Sequence, residues 1–174
     1  MNIDRHRNDK VLVTSAEATK YLKKLNDERD ALLHREYEGK TFLAAVGEDL
    51  EDARPQYDYA QTQKELHEIY QEIRNVKHAL NKFNTETVVP GFSMTIDEML
   101  VYLPQLHQER DKLFEMKNAL PKVRKKRPDG KLIEYVYANY EIAAAAADFE
   151  KVDDLLTRAQ TALDKINNTE TLKI

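Results

Sequence analysis

Arg29 and Arg110 stand at matching points of two similar stretches of the chain. The first is Tyr21–Leu32, Y-L-K-K-L-N-D-E-R-D-A-L, and the second is Tyr102–Leu113, Y-L-P-Q-L-H-Q-E-R-D-K-L. Each arginine lies inside a Glu-Arg-Asp triplet, at a helical position whose neighbours on the same stripe are apolar. A guanidinium keeps its charge at every accessible pH and presents a planar fork to a carboxylate or phosphate. Two roles suit that chemistry. The two arginines line a cleft and hold a small anionic ligand, or they pair with nearby acids and reach solvent along their own stems. The triplets carry their own acids, which favours the second role.

A second set is basic. Lys122, Arg124, Lys125, Lys126, Arg127 and Lys131 crowd around Pro128-Asp129-Gly130, in a chain whose formal net charge is −4. Such a segment suits RNA, DNA or an acidic partner, with Tyr135, Tyr137 and Tyr140 close by to stack on bases. It also suits a solvated hairpin whose charges discourage edge-to-edge pairing.

Other chemistry finds little support. Metal-binding bundles place Glu three residues before His, whereas Ala31, Lys64, Asn75 and Pro104 precede His34, His67, His78 and His107. There is no His-Glu-x-x-His. Serine occurs only at Ser15 and Ser93, with no G-x-S-x-G, and cysteine is absent. With four glycines there is no phosphate-cradling loop. The expectation is no catalytic residue, no metal and no cofactor.

The elements that position these residues read as helices. Thr14-x-x-Glu17 and Thr95-x-x-Glu98 are capping boxes 81 residues apart. They open helices expected over about Ala16–Tyr37, with the stripe Ala18, Leu22, Leu25, Arg29, Leu32, and about Ile96–Ala119, with the stripe Ile96, Met99, Leu103, Leu106, Arg110, Leu113, Lys117, Leu120 and an expected kink or break at Pro104. Two longer helices are expected over about Tyr57–Asn84 and Asn139–Asn168. Tyr59, Thr62, Leu66, Ile69, Ile73, Val76, Leu80 and Phe83 alternate steps of three and four, as do Ile142, Ala145, Phe149, Val152, Leu156, Ala159, Leu163 and Ile166. A helix with one narrow apolar seam needs partner helices.

Between the helices, Phe42–Val46 suits a strand or a helical turn. The run Glu48, Asp49, Glu51, Asp52 suits a solvated face, and Leu132–Tyr137 suits a strand returning on Val123–Arg127. Val11–Val13 and Val88-Val89 are expected to pair, and Thr171–Ile174 suits a further short strand. Tyr57-Asp58-Tyr59-Ala60 and Tyr140-Glu141-Ile142-Ala143 match at an offset of 83. The chain thus reads as one helical unit written twice. It is expected to form a single mainly α domain over 1–174, built from halves of about 11–87 and 88–174. Its long-helix hairpins are expected to form an antiparallel coiled coil or four-helix bundle, with short strands or a β-hairpin in the connectors.

Asn81-Lys82-Phe83-Asn84-x-x-Thr87, then Thr95-Ile96-Asp97-Glu98 with Leu103, Leu106 and Leu113, and Asn167 near the end of the closing helix, resemble the septicolysin-like family of small uncharacterised bacterial helical proteins. The resemblance implies a self-associating α-helical coiled-coil bundle with no catalytic residues to carry over. Cytolysis, implied by the family's name, has no counterpart in these residues.

No apolar run of membrane-spanning length and no secretory signal are present, so the cytoplasm is the default location and no membrane partner is expected. The leading expectation is a structural or interaction protein that forms homo-oligomers through its seams and takes a protein partner. An adaptor for nucleic acid or an acidic partner using 122–131 comes second. A binder of a small anion through Arg29 and Arg110 comes third.

Overall fold

The computed structural model describes residues 11–125 and 133–174. The expectations for Met1–Lys10, the Pro128-Asp129-Gly130 turn, and Lys126, Arg127 and Lys131 lie outside those residues. The described elements run β1 (Leu12–Thr14), α1 (Ser15–Gly39), α2 (Leu50–Ala53), α3 (Tyr59–Glu86), α4 (Ile96–Lys117), β2 (Lys122–Lys125), β3 (Glu134–Tyr137), α5 (Ile142–Thr169) and β4 (Thr171–Lys173). The protein is mainly helical, with small antiparallel strand pairs. It divides into two compact units, Met1–Asn84 with Asn167–Ile174, and Thr85–Ile166. The expected halves met at 87/88, whereas the last eight residues here join the first unit.

In the first unit, Thr14 is extended and begins α1. Its hydroxyl accepts from the Glu17 N–H at 3.2 Å, and the Glu17 carboxylate accepts from the Thr14 N–H at 2.9 Å. Two N–H groups with no partner inside the helix are thereby satisfied. α3 runs antiparallel to α1. The Tyr21 hydroxyl donates to Glu72, Arg35 pairs with Glu65, and Gln63 donates to Glu36. Ala18, Tyr21, Leu25 and Leu32 of α1 are buried in one core with Leu66, Ile69, Ile73 and Val76 of α3. Each fully buried aliphatic side chain contributes roughly 1.5–3 kcal/mol. Tyr21 takes the inward place expected of Leu22, which is half-buried. A tyrosine ring fills the seam while its hydroxyl reaches a carboxylate at the edge.

β1 and β4 close this unit, with Val13 opposite Leu172, and Val11 and Ile174 exchange N–H···O bonds at 3.0 Å. Val13 and Leu172 both join the core. The expected pairing of Val11–Val13 with Val88-Val89 is not formed. Gly91 adopts φ 81 just after Pro90 and reverses the chain at once. Val88 therefore pairs with Thr95, and the Val89 N–H reaches the Met94 carbonyl at 2.8 Å. Pairing across so short a loop costs little closure entropy and pre-empts the distant strand.

The second unit opens on the other capping box. The Glu98 carboxylate accepts from the Thr95 N–H at 2.7 Å, and the Thr95 hydroxyl accepts from the Glu98 N–H at 3.3 Å. α4 and α5 run antiparallel, with His107 beside Gln160, Arg110 beside Asp153 and Lys117 beside Glu150. α4 continues through Pro104 as one helix. Proline forfeits one backbone bond, and buried Met99 and Leu106 on either side hold the segment helical. α4 ends at Lys117, leaving Leu120 exposed instead of on the seam. In α5, Ala145, Phe149, Leu156, Ala159, Leu163 and Ile166 are buried, which follows the expected spacing.

The connectors differ. Phe42–Val46 forms neither strand nor helix through Ala45, and a turn follows at Gly47, φ 93. Asp49 caps the short α2, its carboxylate accepting from the Glu51 N–H at 2.9 Å, so the acidic run has a local structural task. The chain then returns against the end of α1. A Cβ on Gly39 would lie 2.7 Å from the Tyr57 Cβ, so only glycine fits there.

Two measurements test this account. Thr14→Ala and Thr95→Ala should each cost about 0.5–2 kcal/mol in urea unfolding, and Gly39→Ala about 1–3 kcal/mol through displacement of Tyr57. Glu17 and Glu98 are held below the usual 4.5, first by the threonine N–H and then by its hydroxyl. Because their folded pKa is depressed, their stabilisation is present above the unfolded value and is lost as pH falls through the folded one. Glu17→Gln with Glu98→Gln keeps the acceptors without the titration. Stability measured below about pH 4.5 should then fall less steeply than in the parent protein.

Candidate functional site

Arg29 and Arg110 occupy corresponding turns of α1 and α4 but meet different surroundings. In the first unit, Arg29 donates from Nε and Nη2 to Asp30 at 2.9 and 2.7 Å, and from Nη1 to Asn26 at 2.7 Å. All three bonds stay within α1. In the second unit, Arg110 donates from Nε to Asp153 of α5 at 2.5 Å, touches Asp111 at 3.4 Å, and lies 5.6 Å from the Phe149 ring centre. The bond to Asp153 raises the Arg110 pKa above its ordinary value, against the opposing effect of burial. The difference has a simple cause. At the offset of 83, Asp153 corresponds to Tyr70, so α3 offers Arg29 no carboxylate. Each guanidinium is thus already engaged by carboxylate inside its own unit. Asp153 was missed in the sequence because nothing local marks an acid 43 residues away as a partner.

Around Arg110 the second unit carries an aromatic cluster. Phe114 and Phe149 stack at 5.9 Å and 51°. Lys117, expected on the seam, lies with its ammonium 3.2 Å from the Phe149 ring centre and 3.4 Å from Glu150. A long amphipathic side chain covers the ring while its charge stays at the surface. Two tyrosines at corresponding places tie each connector back to its first helix. Tyr57 donates to Glu36 at 3.0 Å, and Tyr140 donates to the Met116 carbonyl at 2.9 Å. Burial, and then the Glu36 carboxylate, raise the Tyr57 phenol above 10.0, so it remains a donor at neutral pH.

The basic segment forms the expected hairpin. Lys122 faces Tyr137, Val123 faces Val136, Arg124 faces Tyr135 and Lys125 faces Glu134. Cross-strand partners share a face and neighbours alternate. One face therefore carries Lys122, Arg124, Tyr135 and Tyr137, and the other Val123, Lys125, Glu134 and Val136. The Lys122 ammonium lies 3.9 Å from the Tyr135 ring centre and 5.3 Å from that of Tyr137. No residue of either strand is buried, and Ile133 just before β3 is exposed as well. The Ala138 N–H bond to the Pro121 carbonyl closes its base.

In the first unit, a depression of about 370 Å³ lies beside Gly39 and Tyr57, rimmed by Arg35, Glu38, Asp58 and Glu65. That lining is mostly polar, unlike the largely apolar walls of small-molecule sites. Among the described residues, no three His, Cys, Asp or Glu side chains converge as metal ligands. No described helix is long and apolar enough to cross a membrane.

These features define a mainly helical protein with a basic, aromatic hairpin. No protein-family model matches the chain, and no curated protein does either. A solved structure does. The fold is similar to that of a functionally unknown conserved protein from Corynebacterium diphtheriae, with a TM-score of 0.57 and 15% identity over 93% of this chain and 99% of that one.

Arg110 and Arg29 should separate experimentally. A double-mutant cycle on Arg110→Met and Asp153→Asn, read by urea unfolding, should show favourable coupling that weakens with salt. The same cycle on Arg29→Met and Tyr70→Phe should show none.

Proposed function

We propose that the chain is a non-catalytic interaction protein that associates with itself and whose contact surface is the β2–β3 hairpin. One observation carries the reading: a two-stranded hairpin with no buried residue on either face. Isolated hairpins are marginal in water and become stable when a face is covered. Here Val123, Ile133, Val136 and Leu120 are exposed together with Tyr135 and Tyr137. The central residues of the seams expected to drive association are already buried in a single chain, with Ile69, Val76 and Ala159 at 3% exposure or less. A second copy therefore has no access to those residues, while the connectors offer exposed apolar groups beside dense charge.

The proposal includes an internal duplication. Support comes from burial that repeats at the same offsets as the sequence. Ala18, Leu25 and Leu32 answer to Met99, Leu106 and Leu113, and Leu66, Ile73 and Val76 to Phe149, Leu156 and Ala159, all buried. The pairing of Val88 with Thr95 answers to that of Thr171 with Thr14. The resemblance to septicolysin-like proteins adds the expectation of a self-associating helical bundle. A second reading rests on the Lys122, Arg124, Tyr135, Tyr137 face, which suits single-stranded nucleic acid by stacking and charge.

Size exclusion with light scattering, recording 260 and 280 nm, decides between them. The expected result at low salt is a mass above the 20.3 kDa of one chain, without excess 260 nm absorbance. A 20.3 kDa species at every concentration would sink the self-association reading. Co-eluting 260 nm absorbance released by salt would favour the nucleic-acid reading.

A further inference from the structure

The connectors that join the two helices of each unit occupy corresponding places but carry opposite charge. In the second unit it is the basic hairpin. In the first unit it is 40–58, where Glu48-Asp49-Leu50-Glu51-Asp52 places four carboxylates in five residues. Both are exposed in the chain, and both set apolar groups beside their charges. In the acidic connector, Leu43 is 96% exposed, and Val46 and Leu50 are also exposed. In the basic one, Tyr135 and Tyr137 are exposed on the face that carries Lys122 and Arg124. Neither connector has a covered apolar face, and the charge of one complements that of the other.

We infer that the hairpin of one copy docks on the 40–58 connector of a second copy. The inference rests on the self-association reading and names its contact. Lys122 and Arg124 meet the carboxylates of Glu51 and Asp52, while Tyr135 and Tyr137, on the same face, cover Leu43 and Val46. Charge selects and orients the pair, and the apolar groups supply the affinity that surface ion pairs lack. The charged part of the contact makes assembly weaken as salt rises. The occupant is a second copy, since the same chain carries both the complementary charge and the complementary apolar groups.

Charge reversal tests this. Arg124→Glu is made in one full-length chain, and Glu51→Lys with Asp52→Lys in another. All three positions are solvent-facing, Glu51 giving up only its surface pair with Arg54, and Asp49 and Lys122, which cap α2 and stack on tyrosine, are left alone. Sedimentation velocity should show each variant self-associating at least about tenfold more weakly than the parent. An equimolar mixture of the two should recover assembly, because the reversed surfaces complement one another across chains. Recovery also shows that both variants are folded. If both variants assemble as the parent does, or if the mixture fails to recover, the docking contact is overturned while self-association stands. If the parent is monomeric, the self-association reading fails with it. If a lost parental species carried 260 nm absorbance, the partner is nucleic acid and the second-copy contact is overturned.

Discussion

A 28-residue helix with a single apolar seam must have that seam covered along about 42 Å. Here α3 and α5 each run beside an antiparallel capped helix of their own unit, α1 or α4. Ala18, Leu25, Met99 and Ala159 are fully buried. Most of the remaining structure follows from that demand. The caps set where each first helix begins, and therefore which residues face the seam. The connectors have only to turn the chain, so they are free to diverge in length of strand, charge and exposure.

The ends of the long helices are handled by small pieces of sheet. β4 returns from α5 to β1 and brings Leu172 into the first core, while Val88 folds back on Thr95 beyond α3. In both places the strand that follows a long helix satisfies the backbone just ahead of a capped helix. The first unit therefore depends on the last residues of the chain for Leu172 and for the bonds to Val11. Charged groups do less. Arg110 and Asp153 cross between helices at a partly exposed site, where ion pairs add little net stability, and Arg29 does without such a partner altogether.

With both seams buried, surface that asks for an explanation lies at the connectors. The hairpin combines β-branched and aromatic side chains with a dense positive charge and no core beneath it. The acidic connector combines a capped turn with exposed Leu43 and Val46. Folding of one chain covers neither, so their composition is better suited to contact than to internal packing. Each arginine that first suggested a ligand site is engaged by acids inside its own unit, Arg29 by Asp30 and Arg110 by Asp153 and Asp111, and the more distinctive chemistry lies at the hairpin.

By itself the sequence determined the helices, their starting caps, their seams and the hairpin, because each depends on residues within a few positions. Thr14 and Glu17, the alternating steps from Leu66 to Val76, and the β-prone run Glu134–Tyr137 are all local signals. Tertiary structure alone decided which groups at a distance would meet. It paired β1 with β4 instead of with Val88-Val89, because the Gly91 turn made a local pairing cheaper. It put Asp153 against Arg110 but no acid on α3 against Arg29, and it turned Tyr21 inward in place of Leu22. It also buried both seams within one chain and left the hairpin bare. These outcomes rest on contacts between residues far apart in the chain, for which spacing and composition carry no signal.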